Sequence, residues 1–272
     1  MSSRLRDKFA AVCAVSILPL LLPSPAVAQL SSFGVLGGST VTNTGVTSVN
    51  GNVGVSPGSA ITGFPPGVLT GGSIHAGDTA AAQAQAALRT LYNQLAGMPC
   101  DTDLTGQDLG GLTLTPGVYC FDSSAQLTGT LILNGAGNSA ATFIFKMGST
   151  LTTASASSVS LINGASSCGV AWQVGSSATL GTGTGLAGNI VALTSITLNT
   201  AASLNGRALA QNGAVTLDTN RVTFCTGPAS LPGLPPSNLS GVPAISLPAL
   251  AGLALLLVGL GSVLAWKAQA SR

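Results

Sequence analysis

Five short motifs recur along the middle of this 272-residue chain, and their recurrence leaves few folds open. They read Ser-Ala-Gln-Leu-Thr-Gly at 124–129, Ser-Thr-Leu-Thr-Thr at 149–153 and Ser-Ala-Thr-Leu-Gly-Thr at 177–182, then Ser-Ile-Thr-Leu-Asn-Thr at 195–200 and Ala-Val-Thr-Leu-Asp-Thr at 214–219. Aligned on Leu127, Leu151, Leu180, Leu198 and Leu217, they lie 24, 29, 18 and 19 residues apart. An apolar run precedes each, such as Phe143-Ile144-Phe145 or Ile190-Val191-Ala192-Leu193. A second β-prone piece ending near Asn or Gly follows, such as Leu131-Ile132-Leu133-Asn134-Gly135. Three short strands per repeat, separated by Gly and Asn corners, describe an all-β solenoid of roughly triangular section. Corner insertions account for the uneven period. One stretch departs from this pattern. Asp78 to Ala96 has helix formers with Leu88, Leu91 and Leu95 on one face, a capping aspartate and a Gly97/Pro99 stop. It predicts a helix over 78–96 lying along one solenoid wall.

The residues beside each aligned leucine are small and hydroxylated. One position before it stand Gln126, Thr150, Thr179, Thr197 and Thr216; two positions after it stand Gly129, Thr153, Thr182, Thr200 and Thr219. Strand alternation turns the first set outward when the leucine points in. A corner after the motif places the second set at the edge of the same or an adjacent face. The candidate surface is therefore Thr150, Thr179, Thr197 and Thr216 first, then Thr153, Thr182, Thr200 and Thr219, with Thr128 and Thr152 beside them. Successive turns stack about 4.7–4.9 Å apart, so threonines in register form a flat, regular array of methyl and hydroxyl groups. Such a surface suits an ordered, uncharged, periodic ligand, either ice or a crystalline polysaccharide. Charges there would hold their own hydration shells.

Charge is scarce everywhere. Charged residues make up 6% of the chain, the seven acidic ones are all aspartate, and the single histidine is His75. Acid–base enzymes draw on paired carboxylates or an oriented histidine, so this composition argues against a polysaccharide-cleaving enzyme and for a binding or structural solenoid. No basic footprint for nucleic acid is present, and no cofactor is implied. Asp101, Asp103 and Asp108 lack the spacing of a calcium loop and read as turn residues, and no metal site is expected. Residues 1–28 read as a secretory signal ending in Ala26-Val27-Ala28. Residues 229–243 form a Pro/Gly/Ser linker, leaving 29–228 as the solenoid domain. The 244–272 tail carries an uncharged apolar run to Trp266 before Lys267 and Arg272, either a single membrane span or a sorting tail that is cut off. Export makes the even set Cys100, Cys120, Cys168 and Cys225 a pair of disulfides. Of three pairings, Cys100–Cys120 with Cys168–Cys225 would staple each chain end to the central body.

Several longer segments carry a resemblance. Phe33-Gly34-Val35-Leu36, the 50–58 run Asn-Gly-Asn-Val-Gly-Val-Ser-Pro-Gly, Ile61-Thr62-Gly63-Phe64, the 109–119 run beginning Leu-Gly-Gly-Leu and the 172–182 run beginning Trp-Gln-Val-Gly are similar to the microbial ice-binding protein family. The resemblance covers about residues 30–226. It implies a discontinuous right-handed β-helix with a helix alongside, in which the N-terminal segment joins the stack out of sequence order. It also implies a monomeric, non-enzymatic protein whose partner is an ice crystal surface, held by a flat face that often carries Thr-Ala/Gly-x-Thr/Asn. Thr44-Gly45-Val46-Thr47 fits that pattern fully; Thr200-Ala201-Ala202-Ser203 and Thr153-Ala154-Ser155-Ala156 fit it in part. An adhesin or structural solenoid on the same scaffold is the alternative.

Overall fold

The computed structural model describes residues 30–224. Every strand pairing in it is parallel, and the strands build three walls. The first wall runs, in spatial order, through strands 74–76, 52–55, 33–37, 208–210, 189–192, 170–174, 143–147, 117–121 and 102–103. The second runs 125–127, 151–153, 178–180, 196–198, 215–218, 40–44 and 60–62. The third runs 68–70, 48–50, 221–223, 203–205, 185–187, 158–162, 130–134 and 113–114. Each coil visits the three walls in turn, as the triplet of strands per repeat requires.

The stack is discontinuous. The N-terminal coils 33–50 and 52–70 sit beyond the last coil, 208–223, and not before the first, 102–114. Between them the chain returns along the first wall as helix α1, Thr79–Ala96. Asp78 caps it, accepting the Ala81 N–H at 2.9 Å, and His75 Nδ1 lies 2.7 Å from the same carboxylate. His75 is thus part of the cap. Small residues Ala81, Ala84 and Ala87 and large Leu88, Leu91 and Leu95 face the wall and are buried against Leu36, Val118, Ile144, Ala171, Val191 and Leu209. Because the helix covers its outer side, this wall is apolar on both faces and its strands read as near-continuous hydrophobic runs.

The seam between the N-terminal and C-terminal coils is held by more than strand pairing. Val35 and Leu36 register with Ala208 and Leu209. Buried Gln85, on the helix, donates from Nε2 to Gly37 O on one side of the seam at 2.8 Å and to Ala210 O on the other at 3.0 Å. Arg207 reaches the Ser31 carbonyl at 3.0 Å and Asn189 Oδ1 at 3.1 Å, and burial pulls its guanidinium down to about 10. Inside the triangle, Tyr119, Phe145 and Trp172 occupy registered positions of consecutive coils and stack, Phe145 on Trp172 at 4.2 Å between ring centres. Cys100 and Cys120 are joined in a disulfide with 5.9 Å between their Cα atoms. Cys168 is also disulfide-bonded, and Cys225 lies outside the described residues.

The aspartates at 101–108 are turn staples. Asp101 accepts the Val118 N–H, Asp103 the Thr105 N–H and hydroxyl, and Asp108 the Gly110 and Thr128 N–H groups. Among the described residues no helix is long and apolar enough to cross a membrane. The signal segment 1–28, the linker 229–243 and the apolar tail 244–272 lie outside the described residues.

Candidate functional site

The outer side of the second wall is left bare by the helix. Its strands alternate buried–exposed–buried, as in Ala125-Gln126-Leu127 and Leu151-Thr152-Thr153, so one residue per strand points out at mid-strand. Register fixes which residues these are. Gln126 pairs with Thr152, Thr152 with Thr179, Thr179 with Thr197, Thr197 with Thr216, Thr216 with Thr42 and Thr42 with Thr62. Six threonines on consecutive coils thus form an unbroken outward column closed at one end by Gln126. At the parallel-strand repeat the column runs about 24 Å over its five steps. No charged side chain stands among the six threonines; the first carboxylate is Asp108, which registers beyond Gln126 on the next coil.

Expected members Thr179, Thr197 and Thr216 lie in this column, and so does Thr152. Thr150 does not, which corrects the alignment of its motif. Leu151 registers with Ala125 and Ala178, not with Leu127 and Leu180. Thr150 therefore falls one step to the side, in a flanking column where its hydroxyl donates to Ser124 Oγ at 2.8 Å. Thr153 is a second correction. It fills the inward slot between Leu127 and the next coil, is 3% exposed, exchanges a 2.8 Å hydrogen bond with the Thr184 hydroxyl and accepts the Gly181 N–H at 2.9 Å. It faces the core and not solvent.

The far edge of the wall turns a sharp corner. At each coil one residue there takes a left-handed conformation: Gly129, Ala156, Gly183, Ala201, Thr219 and Gly45, with φ between 55° and 86°. The residues just before them, Thr128, Ser155, Thr182, Thr200, Asp218 and Thr44, make a second ladder along the rim. Ala156 N–H bonds Thr182 O, Gly183 N–H bonds Thr200 O, Ala201 N–H bonds Asp218 O and Thr219 N–H bonds Thr44 O. Thr128, Thr182 and Thr200 thus belong to the rim as expected. Thr219 does not stand in it, because it is the left-handed residue itself; Asp218 takes its place and accepts from the Thr200 and Thr219 hydroxyls. Of the two threonines in the Thr44–Thr47 motif only Thr44 is exposed. Thr47 is fully buried and accepts the Asn220 N–H at 3.0 Å.

Reading the sequence by its central repeats misses Thr42, Thr62, Thr44 and Ser155. The first three come from the N-terminal coils, more than 150 residues from Thr216 in sequence. Their signal was present all the same: Thr40-Val41-Thr42-Asn43-Thr44 has the alternation of Ala214-Val215-Thr216-Leu217-Asp218, with which it pairs.

A family model described as ice-binding-like matches residues 35–223. The chain belongs to the ice-binding-like family. An ice-binding protein of Nostoc sp. (strain HG1) is 61% identical over 194 residues, 71% of each chain. An ice-binding protein of the yeast Leucosporidium sp. (strain AY30) is 34% identical over 66% of this chain and 76% of its own. Among solved structures, an ice-binding protein from an Antarctic biological consortium superposes with a TM-score of 0.70 at 38% identity, over 83% of this chain and 96% of that one. One from the ascomycete Antarctomyces psychrotrophicus gives 0.70 at 43% identity, over 72% and 96%. The resemblance read from 33–36, 50–58 and 172–182 and the out-of-order stacking are those of this ice-binding-like fold.

Proposed function

We propose that this member of the ice-binding-like family adsorbs to ice through the second wall and so restrains crystal growth or recrystallisation. The observation that carries the reading is the six-threonine column Thr62–Thr42–Thr216–Thr197–Thr179–Thr152, with the rim ladder beside it. Each threonine offers a methyl group and a hydroxyl that both donates and accepts, so one side chain can meet a lattice that is hydrogen-bonding and weakly apolar at once. Single contacts of this kind contribute little. The strength comes from many of them held at a fixed repeat on strands whose conformational entropy was lost on folding, so that adsorption orders little further. The absence of charge from the central column matters as much, because no tightly hydrated group stands between the wall and the lattice.

Export, a cleaved or retained C-terminal tail, a Cys168–Cys225 disulfide and a monomeric state complete the proposal. The decisive experiment is direct: ice shaping and thermal hysteresis of the purified protein. A protein that leaves crystals growing as unfaceted discs with no hysteresis gap sinks the reading and leaves a structural or adhesive solenoid.

A further inference from the structure

The rim ladder breaks its run of hydroxyls once. Thr128, Ser155, Thr182, Thr200 and Thr44 carry an O–H there, and Asp218 carries a carboxylate. A free carboxylate would hold a hydration shell against any lattice that approached the rim. This one is half-buried, and each of its oxygens has a donor. Oδ2 accepts the Thr200 hydroxyl from the preceding coil, and Oδ1 accepts the Thr219 hydroxyl at 3.0 Å. Its mount is fixed as well. The Asp218 N–H donates to Asn220 Oδ1, and the Asp218 carbonyl accepts the Ala201 N–H at 3.1 Å. Buried Asn220 in turn donates from Nδ2 to Asn199 O at 2.9 Å and Ala202 O at 3.0 Å, and its own N–H goes to Thr47 Oγ1. On the following coil Gly45 leaves the space this arrangement needs, since a Cβ there would lie 2.3 Å from Thr219 Oγ1.

We propose that Asp218 is a positioning residue of the ice-contact surface, fixing the polarity of the rim by holding the Thr200 and Thr219 hydroxyl protons. A hydroxyl is one donor and two acceptor lone pairs on a rotor. Here the carboxylate takes the proton, in charge-assisted bonds roughly twice as strong as neutral ones. Exposed Thr200 and Thr219 therefore show their lone pairs to solvent, and lattice water must donate at both positions. Among the described residues no hydrogen bond fixes the side chain of Thr182 or Thr44, so those hydroxyls turn to donate or accept as the lattice requires. The rim thus joins adaptable rungs to one rung of set direction. Only lattice planes and registers whose water protons point at that rung meet it without a lost hydrogen bond, which makes Asp218 a determinant of how the wall sits on ice. The two donors also stand in for part of the carboxylate's hydration shell, so the charge is carried at the rim without a full coat of bound water. The inference deepens the ice reading and rests on it.

Two measurements on the full-length chain test it, and the first needs no ice. In NMR spectra of supercooled solution, the hydroxyl protons of Thr200 and Thr219 should exchange with water at least five-fold more slowly than that of Thr182. Asp218→Ala should abolish this protection. Equal exchange at the three sites in the parent, or protection that survives Asp218→Ala, would overturn the inference. The second measurement is thermal hysteresis of Asp218→Asn, which keeps the shape of the side chain but puts a donor in place of one acceptor oxygen. Hysteresis should at least halve at an unchanged melting temperature. An Asp218→Asn protein that equals or exceeds an active parent would show the carboxylate to be idle or an obstacle, and overturns this inference alone. A parent with no hysteresis gap brings down the ice reading itself and this inference with it.

Discussion

At the scale of single residues, the threonine wall and the core beneath it give opposite responses to similar changes. Thr197→Lys, on a central rung, is expected to cost under about 0.5 kcal/mol of stability because the site is outward and free of structural partners. It should abolish ice shaping, since one long charged side chain lifts the neighbouring rungs off a flat lattice. If Thr197→Lys shapes ice like the parent, the wall is not the site. Thr153→Val is the mirror image. Removing its hydroxyl strands the Gly181 N–H, at about 1–3 kcal/mol, although the Thr184 hydroxyl keeps its bond to the Ala154 carbonyl, while ice shaping stays intact; a melting curve and a nanolitre osmometer read the two effects separately. The pair also explains why Thr150 and Thr153 misled the sequence reading. Two inward slots per strand accept a leucine, and in four motifs it takes the second. In 149–153 it takes the first, Leu151, and a hydroxyl pair, Thr153 with Thr184, satisfies the polarity left inside. Leucine spacing alone does not distinguish the slots; pairing across coils does. Thr179, Thr197 and Thr216 were legible because their motifs share one slot choice.

At the scale of elements, the helix is where the order of the stack is enforced. Its limits were readable from Asp78, the leucines and Gly97, because capping and periodicity are local. Its clamp was not, because Gln85 touches carbonyls contributed by residues 37 and 210. Gln85→Ala should destabilise by about 1–3 kcal/mol, the cost of taking one buried donor from the two carbonyls it bridges, of which Gly37 O keeps the Ser56 N–H. Hydrogen exchange should then rise first in 33–44 and 208–218; uniform exchange across all coils would contradict a seam role. The cap gives a pH dependence of known sign. Acceptance of the Ala81 N–H, then of the His75 hydrogen bond, holds the Asp78 carboxyl below its usual 3.8. A depressed folded value means this stabilisation is full above the unfolded value and is lost as pH falls through the folded one. Asp78→Asn should keep the cap and flatten the thermal stability between pH 4 and 2 relative to the parent, whereas Asp78→Ala costs about 1 kcal/mol at neutral pH. A parent and Asp78→Asn that lose melting temperature in parallel would show that the acid loss arises elsewhere.

At the scale of the whole molecule, residues 30–76 are stacked where a continuous solenoid would place its last coils. The two ends of the described chain meet across the seam, for Arg207 bonds Ser31 O and lies 4.8 Å from the centre of the Phe224 ring, which also packs on Gly51. A circular permutant that opens between Gly97 and Pro99 and joins the old ends by a short linker would lay the coils down in spatial order, with the helix last. It should keep the ice shaping of the parent and refold faster, because the pairing of 33–50 with 208–223 becomes local. A permutant that folds but has lost ice shaping would mean that the threonine column depends on the native connectivity. The helix also couples two lengths that evolution cannot vary independently. Each coil added to the middle of the stack lengthens the threonine wall by one rung, about 4.8 Å, and pushes the two ends of the return path apart by the same amount. At 1.5 Å per residue the helix must gain about three residues to keep up, nearly a full turn, so its buried stripe returns almost to the same face. Enlargement of this molecule is therefore quantised: whole coils paired with helical turns, with intermediate sizes losing either the cap or the seam.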